Sequence, residues 1–188
     1  INNAGVAATG DIDTFSLKDF QWAVDINLMG AVKGCYFCVP LLKESKGTLI
    51  NTASMAGLVH MRNMSAYNAS KAGVVALSET LLSELYPFGV KVTVVCPASF
   101  PSNLLKTIRS SSDTGKNTAK KMMDRSPVSA DDIASMVYEG SRKGKHIIIP
   151  TFRETLLWRI KRYLPAFYFM FMKMINYIFN NCFVLYFN

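Results

Sequence analysis

Ser65-Ala66-Tyr67-Asn68-Ala69-Ser70-Lys71 opens the stretch that decides the fold. It begins an apolar-periodic run that reaches about Tyr86 and stops at Pro87 and Gly89, which is a helix by spacing and by stop signals. Upstream lies Thr48-Leu49-Ile50-Asn51-Thr52, a strand within Gly47–Ser54. Downstream lies Lys91-Val92-Thr93-Val94-Val95-Cys96, a β-branched run halted by Pro97. Strand, long helix and strand in succession predict a parallel pair joined by a helical crossover. The pattern continues in both directions. A helix is expected from about Leu17 to Leu42, with Ser16 as N-cap and Asp19 three residues on. Ser129 with Asp131 and Asp132 begins another. Lys145–Pro150 reads as a last strand, and the polar residues 110–127 as a mobile loop.

Tyr67 and Lys71 are four residues apart and so share a helix face. An ammonium there can stabilise a phenolate and lower the phenol's pKa from its usual ~10, making it an acid–base group near neutrality. One such pair is also a common surface accident. Its company argues otherwise: Asn2-Asn3-Ala4-Gly5 opens the chain, Asn27 sits in Asp25–Gly30, and Ser54 ends the strand run. Taken singly, each has an ordinary alternative. Asn27 is then a polar break in a helix, Ser54 a strand-end cap, Lys71 a solvated charge, and residues 3–5 a turn.

Together these residues resemble the short-chain dehydrogenase/reductase family. That family has an Asn-Asn-Ala-Gly turn after its fourth strand and a catalytic Asn, Ser, Tyr and Lys in this order. The resemblance covers residues 1–150. It implies an α/β fold with a Rossmann-like doubly wound parallel sheet, and NAD or NADP as cofactor. By the same resemblance Tyr67 is the general acid or base, and Ser54 hydrogen-bonds the substrate oxygen where charge develops. Lys71 holds the phenolate accessible and binds the nicotinamide ribose, and Asn27 holds a water linking Lys71 to solvent. Asn3, Ala4 and Gly5 stabilise the central crevice and line the adenosine side. Pro97 belongs to a Pro-Gly element in which Ala98 here replaces the Gly, and Ser102 takes the place of a threonine that meets the carboxamide. Residues 55–64 and the 100–125 segment are the expected substrate contacts. Met61, Met64, Phe100 and Leu104 suggest an apolar small-molecule substrate, with Leu104, Leu105 and Ile108 as part of an apolar lid, though methionine is equally ordinary packing. The family's pairing of its long helices between subunits implies a homo-oligomer.

The family's Thr-Gly-x-x-x-Gly-x-Gly turn, which brings backbone against the cofactor pyrophosphate, does not occur in these 188 residues. The expectation is a chain lacking the upstream β-α-β-α-β half. Strand Thr48–Thr52 would then be an exposed edge, and the choice between NAD and NADP is not readable. The other reading is an inactive family remnant that binds a partner or a membrane.

Half of the residues are hydrophobic, enough for a sizeable core. Residues 1–94 are neutral, so residues 95–188 carry the whole net charge of +8. With no nucleic-acid motif beside that charge, a nucleic-acid partner is not expected. Cys35, Cys38, Cys96 and Cys182 read as buried reduced thiols of a cytoplasmic protein. No metal is expected, because only His60 and His146 could add imidazole ligands. Residues 151–188 form a separate tail. Its first part has Phe152, Leu156, Ile160, Tyr163 and Leu164 at helical spacing, with Arg153, Arg159, Lys161 and Arg162 between them. The aromatic stretch after it is divided by Lys173 into uncharged runs too short for the ~18 residues of a membrane span. A cationic amphipathic helix of this kind predicts peripheral membrane contact, against the alternative of a helix packed on protein. Asn180–Asn188 resembles no family element.

Overall fold

A computed structural model describes residues 1–185. The end of the Asn180–Asn188 segment therefore lies outside the described residues. The chain forms two compact units, Ile1–Pro150 and Thr151–Asn188.

In the first unit the elements run β1 (Ala8–Thr9), α1 (Leu17–Val24), α2 (Gly30–Ser45), β2 (Thr48–Thr52), α3 (Ala56–Val59), α4 (Ser65–Leu85), β3 (Lys91–Val95), β4 (Arg109–Ser110), α5 (Asp113–Asp124), α6 (Ala130–Arg142) and β5 (Ile147–Ile148). A parallel sheet has the order β2-β3-β5, with Thr48 opposite Lys91 and Val94 opposite Ile147. The central strand β3 is buried from Val92 to Val95, which is why it reads as an unbroken β-branched run. Leu81 and Leu85 of α4 pack with Cys35, Leu49, Val90 and Val92 into one apolar cluster. Ala8, Phe15, Ala23 and Ala66 form another beside β1.

The edge of β2 is not bare, contrary to the sequence expectation. The Asn2 N–H donates to the Ile50 carbonyl (2.8 Å), and the Thr52 N–H donates to the Asn2 carbonyl (2.9 Å). One residue thus covers the middle of the edge in parallel register.

The long helix expected over Leu17–Leu42 is α1 and α2 joined by a π-helical turn, Asp25–Met29. Its buried residues Ala23, Asn27, Ala31 and Cys35 are spaced by four. At 100° per residue that spacing drifts by about 120° over twelve residues, and the one extra residue of a π-bulge cuts the drift to about 20°. The turn keeps all four on one face.

Three other expectations are corrected. Ser16 occupies the N-cap position but its side chain caps nothing, and the Asp19 carboxylate pairs with Arg109, with Nη1 2.7 Å from Oδ1. Residues 110–127 are not a loop. Ser112 accepts from the Gly115 N–H (3.3 Å) and starts α5, which buries Met123. The last strand is only Ile147–Ile148. The start of α6 is as expected: Ser129 and Asp132 bond each other's backbone N–H in a capping box.

The second unit is helical, with α7 (Phe152–Tyr163) and α8 (Pro165–Leu185) packed on each other.

Candidate active site

Three strand or helix ends bring the site together. Tyr67 lies in the first turn of α4, Lys71 one turn on, and Ser54 just beyond β2. All three backbones are fixed by close packing. Gly57 of α3 lies flat on α4, where an added Cβ would sit 2.7 Å from the Lys71 carbonyl carbon and oxygen. Ser54 is held from both sides: its Oγ accepts from the Ala56 N–H (3.1 Å) and donates to the Pro97 carbonyl (3.4 Å).

Tyr67 is buried, and burial raises its phenol above the usual value, while a hydrogen bond with the Ser54 side chain pulls it down. Lys71 is 3 % exposed. Its Nζ donates to the Thr52 carbonyl at the end of β2 (2.9 Å) and lies 5.9 Å from the centre of the Tyr67 ring. Burial lowers its pKa to about 8, against a small opposing pull from Cys96. This corrects the sequence expectation of an ammonium that acidifies the phenol. The dominant influence on both groups is loss of water, and each is pushed toward its neutral form. The lysine points at a backbone carbonyl and at the ring, so the group that lowers the phenol is Ser54.

Asn27 sits in the π turn and is 2 % exposed. Its Oδ1 accepts from the Val6 N–H (2.8 Å), and its Nδ2 donates to the Val6 carbonyl and to Ser70 Oγ (both 3.1 Å). Ser70 Oγ in turn donates to the Tyr67 carbonyl (2.9 Å). The side chain thus ties the strand entering β1 to the first turn of α4. Both N–H donors of its amide are used, while Oδ1 accepts one bond and borders, with Lys71 Nζ, the space left by Gly5. Gly5 stands between Asn27 and Lys71. A Cβ there would lie 3.3 Å from both Asn27 Oδ1 and Lys71 Nζ, so the absence of a side chain leaves open the space beside the ammonium.

Asn3 and Ala4 are exposed, and the sheet-stabilising part expected of this turn falls to Asn2. Pro97 is buried at the end of β3, and its carbonyl accepts from both Met55 N–H (2.9 Å) and Ser54. Ser102 is exposed and caps a short 3-10 turn, accepting from the Leu104 N–H (3.4 Å). Met61 is exposed, while Met64, Phe100, Leu104, Leu105 and Ile108 are half-buried. Of the thiols, Cys35 and Cys96 are free and buried, but Cys38 is exposed, since it faces away from the Ala31–Cys35 stripe of α2.

Several residues went unsuspected in the sequence. Arg109 pairs with Asp19, stacks its guanidinium 3.9 Å from the Trp22 ring centre, and is aligned by β4 pairing with β1. Asn2, Asn51, Ser78 and Cys35 form a buried polar cluster. Asn2 Nδ2 donates to Asn51 Oδ1 (2.8 Å), Asn51 Nδ2 to Ser78 Oγ (3.0 Å) and Ser78 Oγ to the Val74 carbonyl (2.7 Å). The available signal was an asparagine in the middle of an apolar strand, where it is disfavoured unless bonded.

Comparison with known proteins places this geometry. The family model described as short chain dehydrogenase matches residues 1–113. The chain is 35% identical over 127 residues to the mitochondrial D-beta-hydroxybutyrate dehydrogenase of Rattus norvegicus, covering 68% of this chain and 36% of that protein. It is 32% identical over 133 residues to the 17-beta-hydroxysteroid dehydrogenase type 2 of Homo sapiens, covering 70% and 33%. The chain thus spans about a third of the length of these curated relatives. A short-chain dehydrogenase/reductase from Burkholderia phymatum, solved with NAD, superposes with a TM-score of 0.80 at 27% identity, covering 86% of this chain and 63% of that one. One from Sphingobium yanoikuyae, solved with NADPH, gives 0.68 at 23% identity, covering 88% and 63%, a likeness of fold alone.

Proposed function

The chain belongs to the short-chain dehydrogenase/reductase family, and on that premise we propose that it contributes the acid–base residues of a nicotinamide-dependent oxidoreductase interconverting a carbonyl and a secondary alcohol. The observation that carries the reading is the meeting of buried Tyr67 and Lys71 with half-buried Ser54, with Gly5 leaving the flank of the ammonium open. A lysine buried this deeply costs stability unless the charge is used. Of its three N–H donors only one is committed, to Thr52, among the described residues.

Those free donors and the gap left by Gly5 fit a ribose. Lys71 would hold the ribose hydroxyls of NAD or NADP, with Pro97 and Ser102 on the nicotinamide side and Asn3, Ala4 and Gly5 toward the adenosine. The bound cofactor supplies or takes the hydride. In reduction Tyr67 gives its proton to the carbonyl oxygen, and in oxidation the phenolate takes it from the alcohol. A phenol held protonated by burial suits the first role. Ser54 donates to the same oxygen as negative charge develops there, once its hydroxyl turns from the Pro97 carbonyl. Asn27 positions by tying Val6 to α4 through Ser70, which fixes the strand bearing Gly5 against Lys71.

The substrate side is apolar. Met64, Phe100, Leu104, Leu105 and Ile108 are half-buried on the segments that follow Ser54 and Pro97, and Met61 is exposed nearby in sequence. They support a hydrophobic carbonyl or alcohol. Both curated relatives are named as dehydrogenases of hydroxy compounds, which supports the reaction class. A homo-oligomer belongs to the same reading, supported by Tyr36, Phe37 and Leu41, which leave an apolar face of α2 exposed. The test is turnover of ketones with NADH and NADPH in a polypeptide that supplies a pyrophosphate-binding turn ahead of Ile1. The wild-type sequence should reduce apolar ketones and Tyr67→Phe should not, at unchanged cofactor affinity. Near-normal turnover by Tyr67→Phe would overturn the assignment.

A further inference from the structure

The second unit holds more apolar surface than its own packing uses. In α8 the residues Tyr168, Met172 and Ile175, at helical spacing, are buried or half-buried. A second stripe, Phe167, Met170, Phe171, Met174 and Tyr177, falls on another face of the same helix and is exposed. Phe167 and Phe171 stack on each other along that face, ring centres 6.4 Å apart and nearly parallel. Met170 is 62% exposed and Tyr177 71%. Phe152 and Tyr163 of α7, and Leu164 just after it, are exposed as well. A helix this apolar on both faces buries one in protein and needs something apolar for the other.

The charge pattern says what covers it. After Glu154 the chain contains no Asp or Glu, while Arg159, Lys161, Arg162 and Lys173 are all basic. Arg159, Arg162 and Lys173 are exposed. The aromatic residues are also of the interfacial kind. Trp158 lies under the Arg162 guanidinium, 5.5 Å from ring centre to Cζ, and Tyr163 and Tyr177 are mostly exposed. Rings with one wet end beside cations, next to an acid-free apolar stripe, match the headgroup layer of an anionic membrane. Lys173 on α8 excludes a comfortable span but suits a helix lying in the plane.

We propose that α7 and α8 form a peripheral docking surface for anionic lipid. The Phe167–Met170–Phe171–Met174–Tyr177 stripe enters the acyl boundary, and Arg159, Arg162 and Lys173 meet the phosphates. This surface is independent of the chemistry assigned to Tyr67.

The experiment is co-sedimentation of the whole chain with vesicles of phosphatidylcholine mixed with phosphatidylserine, and with phosphatidylcholine alone, at low and high salt. The expected result is binding to the mixed vesicles at low salt that weakens as salt is raised. Met170→Glu with Met174→Glu should release the chain into the supernatant. Arg159→Gln with Arg162→Gln leaves the Phe167–Tyr177 stripe untouched, and should weaken binding to the mixed vesicles on the order of tenfold or more, at about 1 kcal/mol per charge. Circular dichroism checks that each variant keeps its helices. Equal binding to both vesicle types at all salts would overturn the proposal. So would no binding to either, and so would a chain that stays soluble as a dimer and becomes monomeric in Met170→Glu/Met174→Glu, which assigns the stripe to a second copy.

Discussion

Asn51 and Lys71 are both buried at β2, one residue and one carbonyl apart in their anchoring, yet they behave in opposite ways. Asn51 has a partner for its oxygen in Asn2 and for its amide in Ser78. Ser78 passes its own proton to Val74, so the chain of bonds ends in backbone. Lys71 takes the Thr52 carbonyl and leaves the rest of its donors without a protein partner among the described residues. A closed polar cluster fixes architecture, because each group would cost dearly if its partner were lost. An open one keeps unspent bonding capacity in a dry place, which is what a reacting oxygen or a sugar hydroxyl needs.

The contrast can be broken at four points. The largest effect is expected at Tyr67. Its replacement by Phe should cost about 10²–10⁴-fold in turnover, read in steady-state assays, with little change in unfolding midpoint because the ring and its burial are kept. Next comes the closed cluster. Asn51→Ala strands the Asn2 and Ser78 side chains and should cost about 2–3 kcal/mol of stability in urea unfolding. A loss below about half a kcal/mol would show that the cluster is not closed as described.

Lys71→Met should do the reverse of Asn51→Ala and raise stability while abolishing turnover. The lysine's pKa falls from 10.5 unfolded to about 8 folded, worth about 3 kcal/mol at pH 7, and roughly 1 kcal/mol is returned by losing the Thr52 bond. The sign follows from proton binding. Between pH 8 and 10.5 the unfolded chain holds the proton that the folded one has released, so the wild-type gains stability as pH rises through that window. Below pH 8 the full cost is present. Urea unfolding across pH should show that rise in the wild-type and not in Lys71→Met, and a variant less stable than wild-type at pH 7 would refute the assignment. The smallest effect is expected from Gly5→Ala. Its methyl would press on Lys71 Nζ and Asn27 Oδ1 at 3.3 Å each, lowering turnover several-fold while stability changes by about 1 kcal/mol or less.

Much of this was legible beforehand, and the reasons are local. The strands β2 and β3 and the helix α4 announce themselves through β-branching, periodicity and the Pro87–Gly89 stop, all properties of neighbours in sequence. The order of Asn27, Ser54, Tyr67 and Lys71 was readable for the same reason. What stayed hidden depends on partners far along the chain. Asp19 turns to Arg109, ninety residues away. The polar residues 113–124 become a helix because Ser112 caps them and Met123 finds a buried place. Burial outweighs Lys71 in setting the Tyr67 phenol, and spacing says nothing about the depth at which both are buried.

The π turn at Asp25–Met29 also sets a rule for how this gene can change. One residue more in the turn than an α-helix would hold acts as a phase offset for everything after it. A single-codon deletion in 25–29 that let the segment relax to α-helix would remove that extra residue and leave Ala31 and Cys35 on their face. The same deletion elsewhere in α1 or α2 would turn everything beyond it by about 100°. Point substitutions along the exposed side of α1 and α2 leave the offset intact. Single-residue gaps in natural variants of this helix should therefore fall at 25–29 and not elsewhere along it, and a sequence survey can count both.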